Sequence, residues 1–311
     1  MANITAKDVA TLRAKTGIGM MECKKALVEA DGDMEAAIKV LRERGLAVAA
    51  KKADRIAADG LVEILTIGTK TAMIEVNTET DFVAKNDTFK AFVKSLLETI
   101  IENNVADVDT LLASKYVGTD LTVETKLQEM IFSIGEKISI RRFVLVDGVV
   151  STYIHGMGSI GCIVSFDVED SIKDKAEFVE FSKNIALQVG AYPVNYLDRE
   201  SVPASVIAEE TEVIVNAIKN DPANAKKPEN IIREKMVPGK LNKFYEGNCL
   251  LDMDYVKEDK MKVGEYVAAT AKALGGAIKI SAFYRFEKGE GIQKREENFA
   301  EEIAKLAGGQ A

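Results

Sequence analysis

Few residues in this chain of 311 could do chemistry, and they are scattered. Gly156-Met157-Gly158-Ser159-Ile160-Gly161 spells G-x-G-x-x-G, the dinucleotide fingerprint, which needs a helix to open at the glycines so that its N-terminus meets a pyrophosphate. Here Cys162–Asp167 continues as a strand, so the glycines read as a hairpin turn and a nucleotide site is rejected. His155 is the single histidine. It cannot supply an H-E-x-x-H pair, nothing marks a nucleophile beside it, and a lone turn histidine is ordinarily structural or solvated. Cys23, Cys162 and Cys249 are odd in number and far apart, which fits a reducing compartment without a disulfide frame. With one histidine they leave too few ligands for a zinc site. A phosphate-binding G-x-x-x-x-G-K-[ST] and a G-x-S-x-G elbow are both absent. The expectation is a protein with no cofactor and no catalytic constellation.

Two segments could bind rather than react. Thr80-Asp81-Phe82-Val83-Ala84-Lys85-Asn86 lies between a strand and a helix, where binding residues tend to sit on a rigid scaffold. Its two large apolar residues either fold back as a lid on the core or point outward. Met20 and Met21 are about 100° apart on a helix, so both cannot face one groove. One should stay outside, where a methionine suits an adaptable protein contact. Leu12 and the other could equally complete a small core.

These segments need elements to hold them. The first 45 residues read as three short helices. Thr5 caps the first, which carries Val9 and Leu12, and Thr16-Gly17-Ile18-Gly19 breaks it. Met20–Ala30 has Cys23, Ala26, Leu27 and Ala30 at helical spacing, and Asp33 caps a third helix that ends at Gly45. Residues 47–58 read as a connector. Leu61–Ile67 and Thr71–Asn77 form a hairpin around Gly68-Thr69-Lys70. Phe89, Phe92, Val93, Leu96, Leu97, Ile100 and Ile101 line one face of a helix capped by Asn86 or Asp87. A further helix over Val123–Ile134 ends at Gly135 and leads into a strand, Ile138–Val146.

This block repeats. Gly60 and Gly68, the strand 72–77, and Phe89-x-x-Phe92-x-Lys94 recur about 89 residues later at Gly148 and Gly156, 162–167, and Phe178-x-x-Phe181-x-Lys183. Gly135 with Ile138, Ile140 and Phe143 recurs about 140 residues later at Gly275, Ile278, Ile280 and Phe283. The larger offset places an insertion of about 50 residues in the second copy. It reads as a helical hairpin: Val206, Val213 and Ala217, with Ile207, Ile214 and Ile218 beside them, stripe one arm, and Pro228 starts another bearing Ile231, Ile232, Lys235 and Met236. Phe299, Ile303 and Leu306 mark a short tail helix. The expected fold class is α+β: a three-helix bundle, duplicated core subdomains with antiparallel sheets, an inserted helical hairpin and a C-terminal helix. The expected boundaries are 1–55, 56–146, 147–286 (with the insertion about 200–247) and 287–311.

Lys plus Arg number 41 against 49 Asp plus Glu, a net charge of −8 that gives no bulk attraction to nucleic acid or anionic membrane. The 47% apolar and 29% charged balance is that of a globular chain. Residues 1–30 lack an apolar signal core and no stretch approaches 18 apolar residues, so a cytoplasmic protein without a membrane span is expected.

Four segments carry a resemblance: Leu12-Arg13-x-x-Thr16-Gly17-x-Gly19-Met20-Met21-x-Cys23-Lys24-Lys25-Ala26-Leu27, Thr80–Asn86, Ile134-Gly135-Glu136-x-Ile138-x-Ile140-Arg141-Arg142 and Tyr153-x-His155-Gly156. In this order they resemble bacterial elongation factor Ts, and the similarity runs from residue 2 to about 308. It implies a ubiquitin-associated-like N-terminal bundle and a translation factor that binds the GTPase elongation factor Tu and promotes exchange of GDP. Thr80, Asp81, Phe82 and Val83 then match the segment that dislodges Mg²⁺ from the GTPase. Leu12, Met20 and Met21 match apolar contacts with its nucleotide domain, and His155, Ile134 and Gly135 match core positions facing it. The insertion matches the family's coiled-coil hairpin, a candidate for self-association. Pro238 departs from the pattern and predicts a kink or stop in the second arm. The alternative reading is a ubiquitin-associated-like adaptor that binds proteins without exchange activity.

Overall fold

The computed structural model describes residues 4–224, 227–258 and 260–293. Helix α1 (Ala6–Thr16) is closed by a reciprocal box in which Thr5 and Asp8 satisfy each other's backbone N–H. It is followed by α2 (Met20–Glu29) and α3 (Met34–Lys52), whose cap Asp33 accepts from Ala36 N–H. Val9, Leu12, Ile18, Cys23, Ala26, Leu27, Ala37 and Leu41 form the bundle's core. Gly45 does not end α3. It is buried inside the helix, where a Cβ would stand 3.7 Å from Phe132 Cβ and from the Gln128 carbonyl oxygen. The residue missing a side chain marks where α3 passes a neighbouring helix, so the first part of the expected connector is helical to Lys52.

Strands β1 (Asp59–Ile67) and β2 (Lys70–Thr78) make the expected hairpin. A five-residue helix α4 (Asp81–Lys85) follows, then α5 (Asp87–Asn103), where Asn86 accepts from Thr88 and Phe89 N–H as the cap. The face beginning at Phe89 is buried throughout, each phenylalanine contributing about 1.5–3 kcal/mol on leaving water. Next come α6 (Val108–Ala113), α7 (Val123–Ile134) and β3 (Ile138–Asp147), with sheet order β1-β2-β3.

The second copy repeats this plan. β4 (Val150–His155) pairs antiparallel with β5 (Ile160–Val168), α8 (Ala176–Ala191) packs on them, and β6 (Ile278–Glu287) completes a sheet ordered β4-β5-β6. Between α8 and β6 lie α9 (Ala204–Asn220), a second arm, and α12 (Val263–Leu274). Phe166, Phe178, Phe181 and Ile185 are at the centre of this core.

The second arm carries Pro238 without stopping. It runs as α10 (Glu229–Ile231), a π-helical turn over Ile232–Met236, and α11 (Val237–Asn248). The wide turn restarts the α-helix, so Pro238 falls in a first turn where its missing N–H is not needed. The expected stop does not occur: the arm continues through a π turn just before Pro238. On α9 the buried side is Ile214, Val215 and Ile218, facing Ile232 and Val237, whereas Val213 is exposed. At the hairpin's base Arg199 bonds Asp252 at 2.6 Å and lies over the Tyr245 ring.

The chain divides into two compact units, one from the described residues of Met1–Leu65, Ile74–Leu145 and Glu287–Ala311, the other from Thr66–Met73 and Val146–Phe286. The expected tail helix at Phe299, Ile303 and Leu306 lies outside the described residues. Among the described residues no helix is long and apolar enough to cross a membrane.

Candidate functional site

In the first unit β2 delivers the chain to Thr80, whose extended backbone sets it at the cap position of α4. Its hydroxyl is engaged elsewhere, donating to Glu136 Oε1 at 2.7 Å while its N–H donates to Glu136 Oε2 at 3.0 Å. Thr78 Oγ1 donates to the Thr80 carbonyl at 2.8 Å. One turn further on, Lys85 bonds Asp81 at 2.6 Å and holds that carboxyl below the usual carboxylate range. Ala84 is buried and Val83 half-buried. Phe82 points away from the core and is 81% exposed, while Phe89 and Phe92 nearby are 0% and 2% exposed. Of the two readings left open by the sequence, the lid is therefore excluded.

Ile134 and Gly135 sit at the end of α7, where Gly135 takes the left-handed conformation (φ 84°) that closes the helix. Ile134 is half-buried and Gly135 exposed. Glu136, the next residue, ties this turn to Thr80, so the structure brings Ile134 and Gly135 together with the Thr80–Val83 segment. Lys52 Nζ donates to the Gly135 carbonyl, and Ser133 Oγ to that of Gly17 at 2.9 Å.

Met20 and Met21, in the first turn of α2, are 41% and 65% exposed, so both stand outside. Cys23, Ala26 and Leu27 supply the buried side of that helix. Leu12 is fully buried in the bundle.

His155 belongs to the second unit and is exposed at the end of β4. Tyr153 Oη lies 2.9 Å from its Nδ1. The Tyr153 ring in turn rests on α8 at Gly190, where a Cβ would come within 2.6 Å of it. A glycine there is what lets the ring sit close enough to orient the imidazole. The G-x-G-x-x-G segment is the turn of the β4–β5 hairpin, with Gly158 and Ser159 N–H both donating to the His155 carbonyl, and no helix opens at it. Met157 at its tip is 90% exposed. Sequence reasoning passed over Met157, although a methionine between two turn glycines is an exposure signal. Glu136 stands in one of the segments that carry the resemblance, but its bond to Thr80 has no local signal in the sequence.

The three thiols are all buried. Loss of water pushes Cys162 up to about 12 and Cys249 up to about 11, and raises Cys23 as well. Thiolates are thus suppressed at neutral pH, and the exposed groups are apolar contacts and one imidazole.

A sequence model described as Elongation factor TS matches residues 79–290. The chain is 48% identical over 309 residues to a protein named Elongation factor Ts from Clostridioides difficile (strain 630), covering 98% of this chain and 99% of the relative. Relatives of the same name from Syntrophotalea carbinolica and Clostridium novyi (strain NT) are 42% and 44% identical, covering 97% and 96% of this chain and 99% and 97% of their own.

Proposed function

The chain belongs to the elongation factor Ts family and is a translation elongation factor, and on that premise we propose that it binds the GTPase elongation factor Tu with GDP bound and accelerates release of the nucleotide. The observation that supports this reading is Phe82, a large apolar side chain 81% exposed on a helix whose neighbours are tied down. Mg²⁺ on a GTPase requires near-octahedral oxygen ligands and bridges to the diphosphate. A factor that shifts the elements holding those ligands loosens GDP without touching it. Thr80, Asp81, Phe82 and Val83 form that lever, with Phe82 entering an apolar pocket on the GTPase.

Magnitudes limit what one ring can do. Burying a phenylalanine is worth about 1.5–3 kcal/mol, whereas a thousandfold faster release needs roughly 4 kcal/mol off the barrier. Met20 and Met21, with Ile134 and Gly135, and His155 with Tyr153 behind it, supply the remaining binding energy. Leu12 serves by holding the bundle's shape. The coupling is reciprocal: whatever weakens GDP at equilibrium, GDP weakens equally in return. An exchange factor of this kind needs no catalytic group of its own.

The test is stopped-flow release of a fluorescent GDP from purified elongation factor Tu. The wild-type chain should accelerate release, and Phe82→Ala should slow it at an unchanged melting temperature, since a surface truncation moves stability by within about 0.5 kcal/mol. Unchanged release with Phe82→Ala would exclude the lever.

A further inference from the structure

Five residues cannot set their own direction as a helix. A segment as short as α4 lies below the length at which helix nucleation is repaid, so something outside it must hold it. The usual device, a cap side chain accepting from the first-turn N–H groups, is not in use: the Thr80 hydroxyl makes no cap bond and donates to Glu136. The Asp81–Lys85 pair is solvent-exposed and worth little. The segments 79–80 and 136–137 exchange bonds: Lys137 N–H donates to Glu79 Oε1 at 2.6 Å, while Thr80 N–H donates to Glu136 Oε2 at 3.0 Å. Adjacent residues on each side each give a carboxylate and receive an amide, and Arg55 binds Glu79 from a third direction. One bond would leave a swivel; bonds crossing at neighbouring residues define an orientation. Hydrogen bonds to an ionised carboxylate are among the stronger kinds.

We infer that Glu136 is a positioning residue, whose carboxylate, by taking both hydrogens of Thr80, fixes the direction in which α4 leaves β2 and so the direction in which Phe82 points. The inference rests on the reading of Phe82 as the group that acts on the GTPase.

Its substitutions separate cleanly. Glu136→Ala removes both acceptors. Glu136→Gln keeps one acceptor for the Thr80 N–H, and the Thr80 hydroxyl can turn to accept from the new amide, so that variant should rescue. Thr80→Val removes the hydroxyl bond alone, and Thr80→Ser retains it. In the labelled-GDP assay with elongation factor Tu, Glu136→Ala should lower the maximal release rate about tenfold with half-saturation within about twofold, the signature of an interaction expressed in the activated complex. Thr80→Val should be about threefold slower than Thr80→Ser, which keeps the hydroxyl, and Glu136→Gln should stay near wild type. Phe82→Ala/Glu136→Ala should be no slower than Phe82→Ala, since nothing remains to be positioned. Hydrogen exchange at the amides of 81–85 should speed up in Glu136→Ala, the rest of the chain staying protected. A maximal rate at the wild-type level in Glu136→Ala, or a lowered melting temperature with that rate intact, overturns the inference while leaving a slow Phe82→Ala as support for the lever. A wild-type rate in Phe82→Ala overturns both. Should Glu136→Ala fail to fold, Thr80→Val against Thr80→Ser decides, and equal rates for those two count against positioning.

Discussion

Arg142 Nε donates to Glu75 Oε2 across 2.7 Å, at a carboxylate with no exposure to solvent. Arg141 bonds the other oxygen at 3.0 Å, Asn77 Nδ2 adds 3.1 Å and Gly289 N–H adds 2.8 Å. Arg142 also bonds Glu290 at 3.0 Å, and Lys288 bonds Asp59 at 2.8 Å, so the segment after β6 is tied to the first unit's sheet through Lys288, Gly289 and Glu290. Burial alone would raise the Glu75 carboxyl; the amide of Gly289, Asn77 and the two guanidinium groups outweigh it and hold the group below its ordinary value. Removing one member of a buried ion pair costs about 3–5 kcal/mol. Glu75→Ala should therefore lower unfolding free energy by about 3 kcal/mol in urea titrations. The sign with pH follows from the lowered value. The contribution is complete above the unfolded carboxylate's pKa of about 4.3 and is lost as pH falls through the folded one. Stability of Glu75→Gln should lack that acid dependence, and parallel acid profiles for the two proteins would count against the assignment.

Much of this arrangement could be read before folding because its signals are local. The seven apolar positions from Phe89 to Ile101 lie on one face whatever else happens, and Asn86, Asp33 and Thr5 cap by chemistry within two or three residues. The duplication was legible because the glycines and aromatics recur. What was not legible depends on partners distant in sequence. Gly45 reads as a terminator until α7 is beside it, Glu136 is an ordinary turn residue until Thr80 arrives 56 positions away, and Val213 and Ile214 are equal candidates for the inner face of α9 until the second arm selects one.

Pro238 provides a magnitude test of the π turn. In the interior of a regular α-helix proline costs about 3 kcal/mol. If the turn at Ile232–Met236 has already moved Pro238 into a first-turn position, Pro238→Ala should gain less than about 1 kcal/mol. A gain near the full interior value in thermal unfolding would mean that the proline strains the arm.

The cysteines predict a kinetic silence. Because burial raises all three thiols and the cores around them are closed, a thiol reagent at pH 8 should modify almost none of the native protein within minutes. Three groups per chain should react once urea unfolds it. Rapid modification of one thiol in the native state would show that its core opens locally.

Leu12 and the methionine pair separate folding from binding within one bundle. Leu12 is wholly enclosed, so Leu12→Ala should cost about 2–5 kcal/mol through lost burial and a cavity. Met20→Ala/Met21→Ala removes side chains already facing water, and should leave the unfolding midpoint nearly unchanged while weakening binding to elongation factor Tu about tenfold or more. Point substitution is a cleaner probe than deleting residues 1–55. That deletion would also uncover Phe132, which packs against the bundle core, and remove the Gly17 carbonyl that Ser133 bonds and the Ala53 and Arg55 carbonyls that Lys137 bonds. A truncated chain that binds poorly would therefore conflate a lost contact surface with a loosened α7. Calorimetric titration of the double methionine variant against the GTPase keeps them apart, and wild-type affinity in that variant would remove α2 from the interface.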